Sequence, residues 1–186
     1  MNSNGRRARS QGAEVTATVR PMRGFVAVAN FAYVNAELLD DTVPEGGGLN
    51  LTGGLAGDQL PYTPEITANV SVDYEWALGP ATLAFVGGNV RLVGDQTGGF
   101  NAAYRTAFER RIEIDGYQTV DLRAGVDFGR FTVQAFARNL FNEYDVVSAA
   151  GFPFTVQPTI GGRGLPLINV STIRPRTFGL TVGANF

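Results

Sequence analysis

Residues 65–76 alternate without exception. Ile66, Ala68, Val70, Val72, Tyr74 and Trp76 share one parity, and Glu65, Thr67, Asn69, Ser71, Asp73 and Glu75 the other. Successive strand side chains point to opposite faces, so this run predicts a strand with one apolar and one polar side. The same period closes the chain, where Phe178, Leu180, Val182, Ala184 and Phe186 oppose Thr177, Gly179, Thr181, Gly183 and Asn185. Further strands are predicted over 14–20, 25–34, 82–93, 119–128 and 131–141, which makes seven, and no helix is predicted.

The connections alternate in length. Short turns fall at Pro21–Gly24, Ala77–Pro80 and Gly129–Arg130, and long segments at 37–64, 95–116 and 142–173. Structureless loops beyond about 12–15 residues are uncommon in compact domains. Outer-membrane barrels are the exception, with tight turns at one end and long loops at the other. Ten residues at about 3.3 Å each, tilted near 45°, rise by roughly the 25 Å of the apolar band of such barrels. Alternation alone does not fix the outer face, because a soluble barrel shows the same period with its apolar rows turned inward. Three features favour lipid outside: the loop asymmetry, charges within strands (Asp73, Asp121, Arg123, Asp127), and aromatics near strand ends (Tyr74, Trp76, Phe128, Phe131, Phe141, Phe186).

Composition narrows the function. The chain has 186 residues, 44% of them hydrophobic, which is too apolar for a disordered segment. Its mean hydropathy of +0.00 is what alternating strands average to, and says nothing about solubility. No apolar run approaches the roughly 18 residues of a spanning helix, so a membrane role requires strands. A net charge of −2 argues against nucleic acid as a partner. With no His and no Cys, the usual general base, thiol nucleophiles and most transition-metal ligand sets are missing, so an enzyme is not expected. No metal-binding spacing and no cofactor motif is present. Residues 1–10 lack the apolar core of a secretory signal, and the expectation is a piece of a longer exported protein.

The polar rows nominate wall residues. Asp73, Arg91, Asp121, Arg123 and Arg138, with Glu14, Thr16, Thr18, Asn69, Ser71, Asn89 and Gln134, are expected to face the lumen. The charges would form a ladder of ion pairs or contact a solute. In the long loops, Phe100, Tyr104, Arg105, Phe108, Phe152 and Phe154, accompanied by Arg110 and Arg111, suit either of two roles. They could grip a bulky ligand by stacking and charge, or pack the loops against one another.

Five segments, in order, resemble the C-terminal part of a TonB-dependent outer-membrane receptor. They are Ala8–Glu14, Leu60-Pro-Tyr-Thr-Pro-Glu65, Gly116–Gly125, Ala137-Arg-Asn-Leu-Phe-Asn-Glu-Tyr144, and the run from Pro175 to Phe186. The resemblance implies an all-β, antiparallel transmembrane barrel of 22 strands around a plug domain, of which residues 1–186 supply about the last seven. It also implies uptake of a scarce nutrient such as a ferric siderophore, cobalamin or a saccharide. The partners it implies are outer-membrane lipid, the barrel assembly machinery and the TonB complex acting through the plug. Phe178, Leu180, Val182 and Phe186 would form the assembly signal, or simply an ordinary lipid-facing strand. The plug and the signal peptide are expected to lie outside this chain. Seven strands do not close a single-chain barrel, so the chain alone is expected to leave unpaired edges and not to transport. A soluble β-barrel binding a small apolar ligand is the competing expectation.

Overall fold

The computed structural model describes residues 7–42, 52–151, 159–160, 163–164 and 168–184. Seven strands make one antiparallel sheet: β1 (Ala8–Val19), β2 (Phe25–Leu38), β3 (Ile66–Gly79), β4 (Thr82–Val93), β5 (Tyr117–Asp127), β6 (Phe131–Arg138) and β7 (Thr177–Ala184). Each pairs with its successor in sequence, so the sheet is a simple meander. Among the described residues β1 is bonded only to β2, and β7 only to β6, which leaves the sheet open at both ends.

Local chemistry sets the turns. Gly24 and Gly129 adopt φ of 81° and 83°, a region that costs glycine little. Gly129-Arg130 closes a two-residue hairpin in which the Phe128 amide donates to the Phe131 carbonyl at 2.8 Å. The Asp127 carboxylate caps that turn by accepting from the Gly129 amide at 2.6 Å. A bulge at Ala77–Gly79 absorbs Leu78 before the turn into β4.

Register puts like with like. Asn30 stands opposite both Thr16 and Asn69, Asn69 opposite Arg91, and Arg91 opposite Thr119. One polar face therefore runs across the sheet. On the other face Phe31 meets Ala68, Ala68 meets Leu92, and Val133 meets both Val126 and Val182. Among the described residues nothing covers that apolar face: Phe178, Leu180 and Val182 are 67%, 77% and 70% exposed, and Val15, Val70, Val90 and Leu122 are also open. Among the described residues a packed apolar cluster, Ile112, Ile114 and Ala149 with Tyr104 and Val146 against it, lies in the long connections rather than under the sheet. The soluble-barrel expectation needs the apolar rows to enclose a core, and here they are bare.

Short two-stranded ladders form within the long connections 95–116 and 142–173, segments expected as loops, and β2 runs on to Leu38 rather than residue 34. Three further details differ from the sequence expectation. First, β1 begins at Ala8, six residues before the expected start at Glu14. Second, β6 ends at Arg138 rather than Phe141, because Asn139 turns left-handed at φ 49° and stops the ladder. Third, a helix was not expected, yet α1 (Ala102–Phe108) forms. Its start is fixed by Asn101, whose side chain accepts from the Tyr104 amide at 2.8 Å, and its end by Glu109 at φ 58°.

Candidate functional site

The polar face carries the wall chemistry, and its grooves are lined by polar side chains from neighbouring strands. Thr16 donates to Asn30 at 3.0 Å, and Asn69 and Asn89 exchange amide hydrogen bonds at 3.0 and 3.3 Å. Asp73 on β3 and Arg123 on β5 are separated by a whole strand, yet the guanidinium Nη2 lies 2.6 Å from Oδ1. The residue between them is Gly87, paired with both, and a side chain there would strike both groups. Asp121 accepts from the Asn139 amide at 2.8 Å. Arg138 lies over the Phe136 ring, 4.9 Å from its centroid. Of the five nominated lumen residues, Asp73, Asp121, Arg123 and Arg138 line one groove, and Arg91 a second beside Asn69.

Two aromatics on this face escaped the sequence reading. Phe85 covers Gly125, and Phe136 covers Gly179 on the next strand. The signal was available: position 136 has the parity of Gln134 and Arg138. An aromatic paired with a glycine across the ladder fills the space that the glycine leaves.

Asn139 opens the polar turn at the junction of strand and loop that the motif Asn139–Tyr144 marks. It is 5% exposed, and its side chain donates to the Glu143 and Arg174 carbonyls at 2.9 Å and accepts from the Glu143 amide at 3.0 Å. Asn142 accepts from the Arg176 amide at 3.0 Å. The Asn-Leu-Phe-Asn motif is thus a clasp binding the end of β6 to the approach of β7. It holds the wall and carries no reacting group.

The long connections meet at the end of the sheet opposite the short turns. Arg105 on α1 reaches Asp58 at 2.5 Å, with side chains 25% and 15% exposed. Arg111 donates to the Gln59 carbonyl at 2.5 Å and the Gly98 carbonyl at 3.1 Å, and stacks over Phe100 at 4.7 Å from the ring centroid. Burial lowers its pKa from the ordinary arginine value, Asp58 opposes that shift, and Arg105 adds to it. The Tyr62 hydroxyl donates to the Ala149 carbonyl at 2.8 Å, and Gln96 to the Val147 carbonyl at 3.2 Å. The Tyr104 and Phe108 rings pack in a tilted pair with centroids 4.6 Å apart. Of the nominated loop residues, Phe100, Tyr104, Arg105 and Phe108 share this cluster, with Phe108 still 40% exposed. Phe152 and Phe154 lie outside the described residues.

On β7, Phe178, Leu180 and Val182 share the apolar face, and Phe186 lies outside the described residues. At the turn end Tyr74 and Trp76 stack with centroids 5.4 Å apart, and Phe25 meets Tyr74 in a tilted pair at 6.4 Å. Phe178, with Arg176 over its ring, marks the loop end.

A meandering sheet bare and apolar on one side, polar and grooved on the other, with short turns at one end and clustered loops at the other, is a segment of a transmembrane β-barrel wall. The sequence profile of the TonB dependent receptor-like β-barrel family matches residues 1–140, and the chain belongs to that family. Solved structures agree in fold. The ferric yersiniabactin uptake receptor FyuA of Yersinia pestis superimposes with a TM-score of 0.68 at 19% identity over 96% of this chain. The ferric-catecholate import receptor Fiu of E. coli K12 gives 0.64 at 20% identity over 96%. The ferric preacinetobactin receptor BauA of Acinetobacter baumannii gives 0.63 at 17% over 94%. The chain spans only 24%, 21% and 22% of those receptors. No curated protein sequence matches the chain.

Proposed function

We propose that residues 1–186 form the C-terminal wall of an outer-membrane receptor that takes up a scarce nutrient with energy from the TonB complex. The observation that carries the reading is the bare apolar face of a seven-stranded wall whose opposite face is a continuous polar ladder. In a bilayer those apolar rows meet lipid tails, and the open edges at β1 and β7 are closed by further strands. A plug domain would fill the polar side and connect to TonB. The assembly machinery would engage β7 through Phe178, Leu180 and Val182, with Phe186 at its end. Asp73, Arg91, Asp121, Arg123 and Arg138 serve as the inner wall, and the loop cluster with Phe100, Tyr104, Arg105 and Phe108 as the outer ligand surface, joined by Phe152 and Phe154. A ferric siderophore is the favoured nutrient, because the structural neighbours named above are ferric-siderophore receptors.

The test is uptake by the full-length gene product. Deleting the gene should abolish uptake of radiolabelled iron from at least one siderophore under iron limitation, and restoring it in a strain lacking TonB should not rescue. Undiminished uptake of all siderophores, cobalamin and saccharides in the deletion strain would contradict the proposal.

A further inference from the structure

Connection length decides how the register of each strand pair is set. Short turns join β1–β2, β3–β4 and β5–β6, and a short turn fixes which residues face each other. Long segments join β2–β3, β4–β5 and β6–β7, and such a connection takes up or gives out two residues at little entropic cost. A slip by one residue would turn every apolar side chain of a strand to the wrong face, but a slip by two preserves parity. In β7 a two-residue slip leaves Phe178, Leu180, Val182 and Ala184 on the apolar face, so hydrophobicity does not oppose it.

The polar rows supply the missing constraint. Among the described residues of the sheet, rings cover glycines of a neighbouring strand at two places, and both lie between strands joined by long segments. Phe136 of β6 faces Gly179 of β7, and Phe85 of β4 faces Gly125 of β5; a Cβ at either glycine would strike the ring. The polar row of β7 reads Thr177, Gly179, Thr181, Gly183, so a two-residue slip in either direction sets a threonine Cβ under Phe136. The row of β5 reads Thr119, Asp121, Arg123, Gly125, Asp127, and the same slip sets Arg123 or Asp127 under Phe85. Neither fits the space that a glycine leaves. A four-residue slip would bring Gly183 under Phe136, but it carries residues 177–180 past the end of β6 and out of the ladder. The bonds of the clasp at 139–142 reach Arg174 and Arg176, ahead of β7, and none lies along the strand.

We infer that Phe136 on Gly179 is a register key. The ring admits β7 at one alignment and excludes those two residues away, so the strand locks where its lipid face alone would let it slide. Phe85 on Gly125 does the same between β4 and β5, where Gly87 adds a second constraint because a glycine there lets Arg123 reach Asp73. β2 carries no glycine, and β2–β3 has no such pair. The key at β7 has the wider consequence. β7 is an open edge of this wall, so its alignment passes to whichever strand closes on it.

Cross-linking of the full-length gene product in outer membranes reads the register. Val133→Cys is combined with Val182→Cys, its partner in the ladder, or with Leu180→Cys or Ala184→Cys, which face it only after a two-residue slip. Directly opposite residues hold their Cβ atoms about 4.5–5.5 Å apart and diagonal ones about 7 Å, so oxidation to a disulfide separates the alignments. With Phe136 present, the 133–182 bridge should dominate. Phe136→Ala should raise the slipped bridges relative to the native one by about ten-fold, the scale of one overpacked contact no longer opposing them. Phe85→Ala removes an equal ring from a different strand pair and should leave the β6–β7 ratio unchanged, which separates a key from general loosening. Where Phe136→Ala does not assemble, as judged by heat-modifiable gel migration, Gly179→Ala reports instead: a methyl under the ring removes the advantage of the native alignment, and the slipped bridges should rise. An unchanged ratio in Phe136→Ala or Gly179→Ala, or an equal rise in Phe85→Ala, overturns the inference.

Discussion

Asp73 and Arg123 meet above Gly87, across an intervening strand that offers no side chain to separate them. The glycine is the condition for the ion pair, since a Cβ at position 87 would lie 2.9 Å from Arg123 Nε and collide with the Asp73 carboxylate. Both obstacles are ends of flexible side chains, so they can swing aside. Gly87→Ala is expected to sever the pair at a cost of less than about 1 kcal/mol, as Arg123→Ala does, because both partners are about half exposed. The two losses are the same loss. The double variant should therefore cost no more than the larger single one in a denaturant titration.

Gly125 presents the opposite case. A Cβ there would meet the Val133 carbonyl and the Phe85 ring, each at 2.5 Å, and the carbonyl belongs to the neighbouring strand's backbone. Gly125→Ala should destabilise the wall by about 1–3 kcal/mol, the range for overpacking. Equal effects of Gly87→Ala and Gly125→Ala in the same titration would contradict this reading of the two glycines.

Asn139 is expected to be the most sensitive polar residue of the wall. Asn139→Ala removes three part-buried hydrogen bonds to Glu143 and Arg174 and keeps a side chain at φ 49°, so it should cost about 1–3 kcal/mol from the hydrogen bonds alone. Asn139→Gly loses the same bonds but relieves the left-handed strain, and should be milder by about 1 kcal/mol. Unfolding midpoints of the two variants check the order.

The strands were legible from parity. A period of two over residues 65–76 and 177–186 needs no knowledge of distant contacts, and register followed once one face was apolar. The polar face was legible for the same reason, although Phe85 and Phe136 show that such a face accepts an aromatic where the facing residue is glycine. What parity does not carry is the loop cluster. Tyr62 bonds Ala149 across 87 residues and Arg111 bonds Gln59 across 52, and no periodic signal links such positions. The helix Ala102–Phe108 was missed because seven residues present less than two full apolar turns, and its start depends on a single Asn101 cap. The early end of β6 rests on one left-handed residue, which composition does not announce.

The two open edges make a prediction for the chain by itself. With β1 and β7 each lacking a neighbour on one side among the described residues, residues 1–186 refolded alone into detergent should form a spread of oligomers rather than one closed species. Size-exclusion chromatography with light scattering distinguishes these outcomes, and a single monodisperse monomer with heat-modifiable migration would contradict the open-wall account.

The central claim is the direction each face looks, and cysteine scanning reads it directly because this stretch contains no cysteine of its own. Single cysteines at Val70, Val90 and Leu180 on one face, and at Ser71, Asn89 and Thr181 on the other, would be introduced into the full-length gene product in a bilayer and labelled with an environment-sensitive fluorophore. The account predicts quenching by brominated lipid tails at the first three positions and by an aqueous quencher at the second three. Aqueous quenching at Val70, Val90 and Leu180 with lipid quenching at their neighbours, or no difference between the two sets, would contradict it.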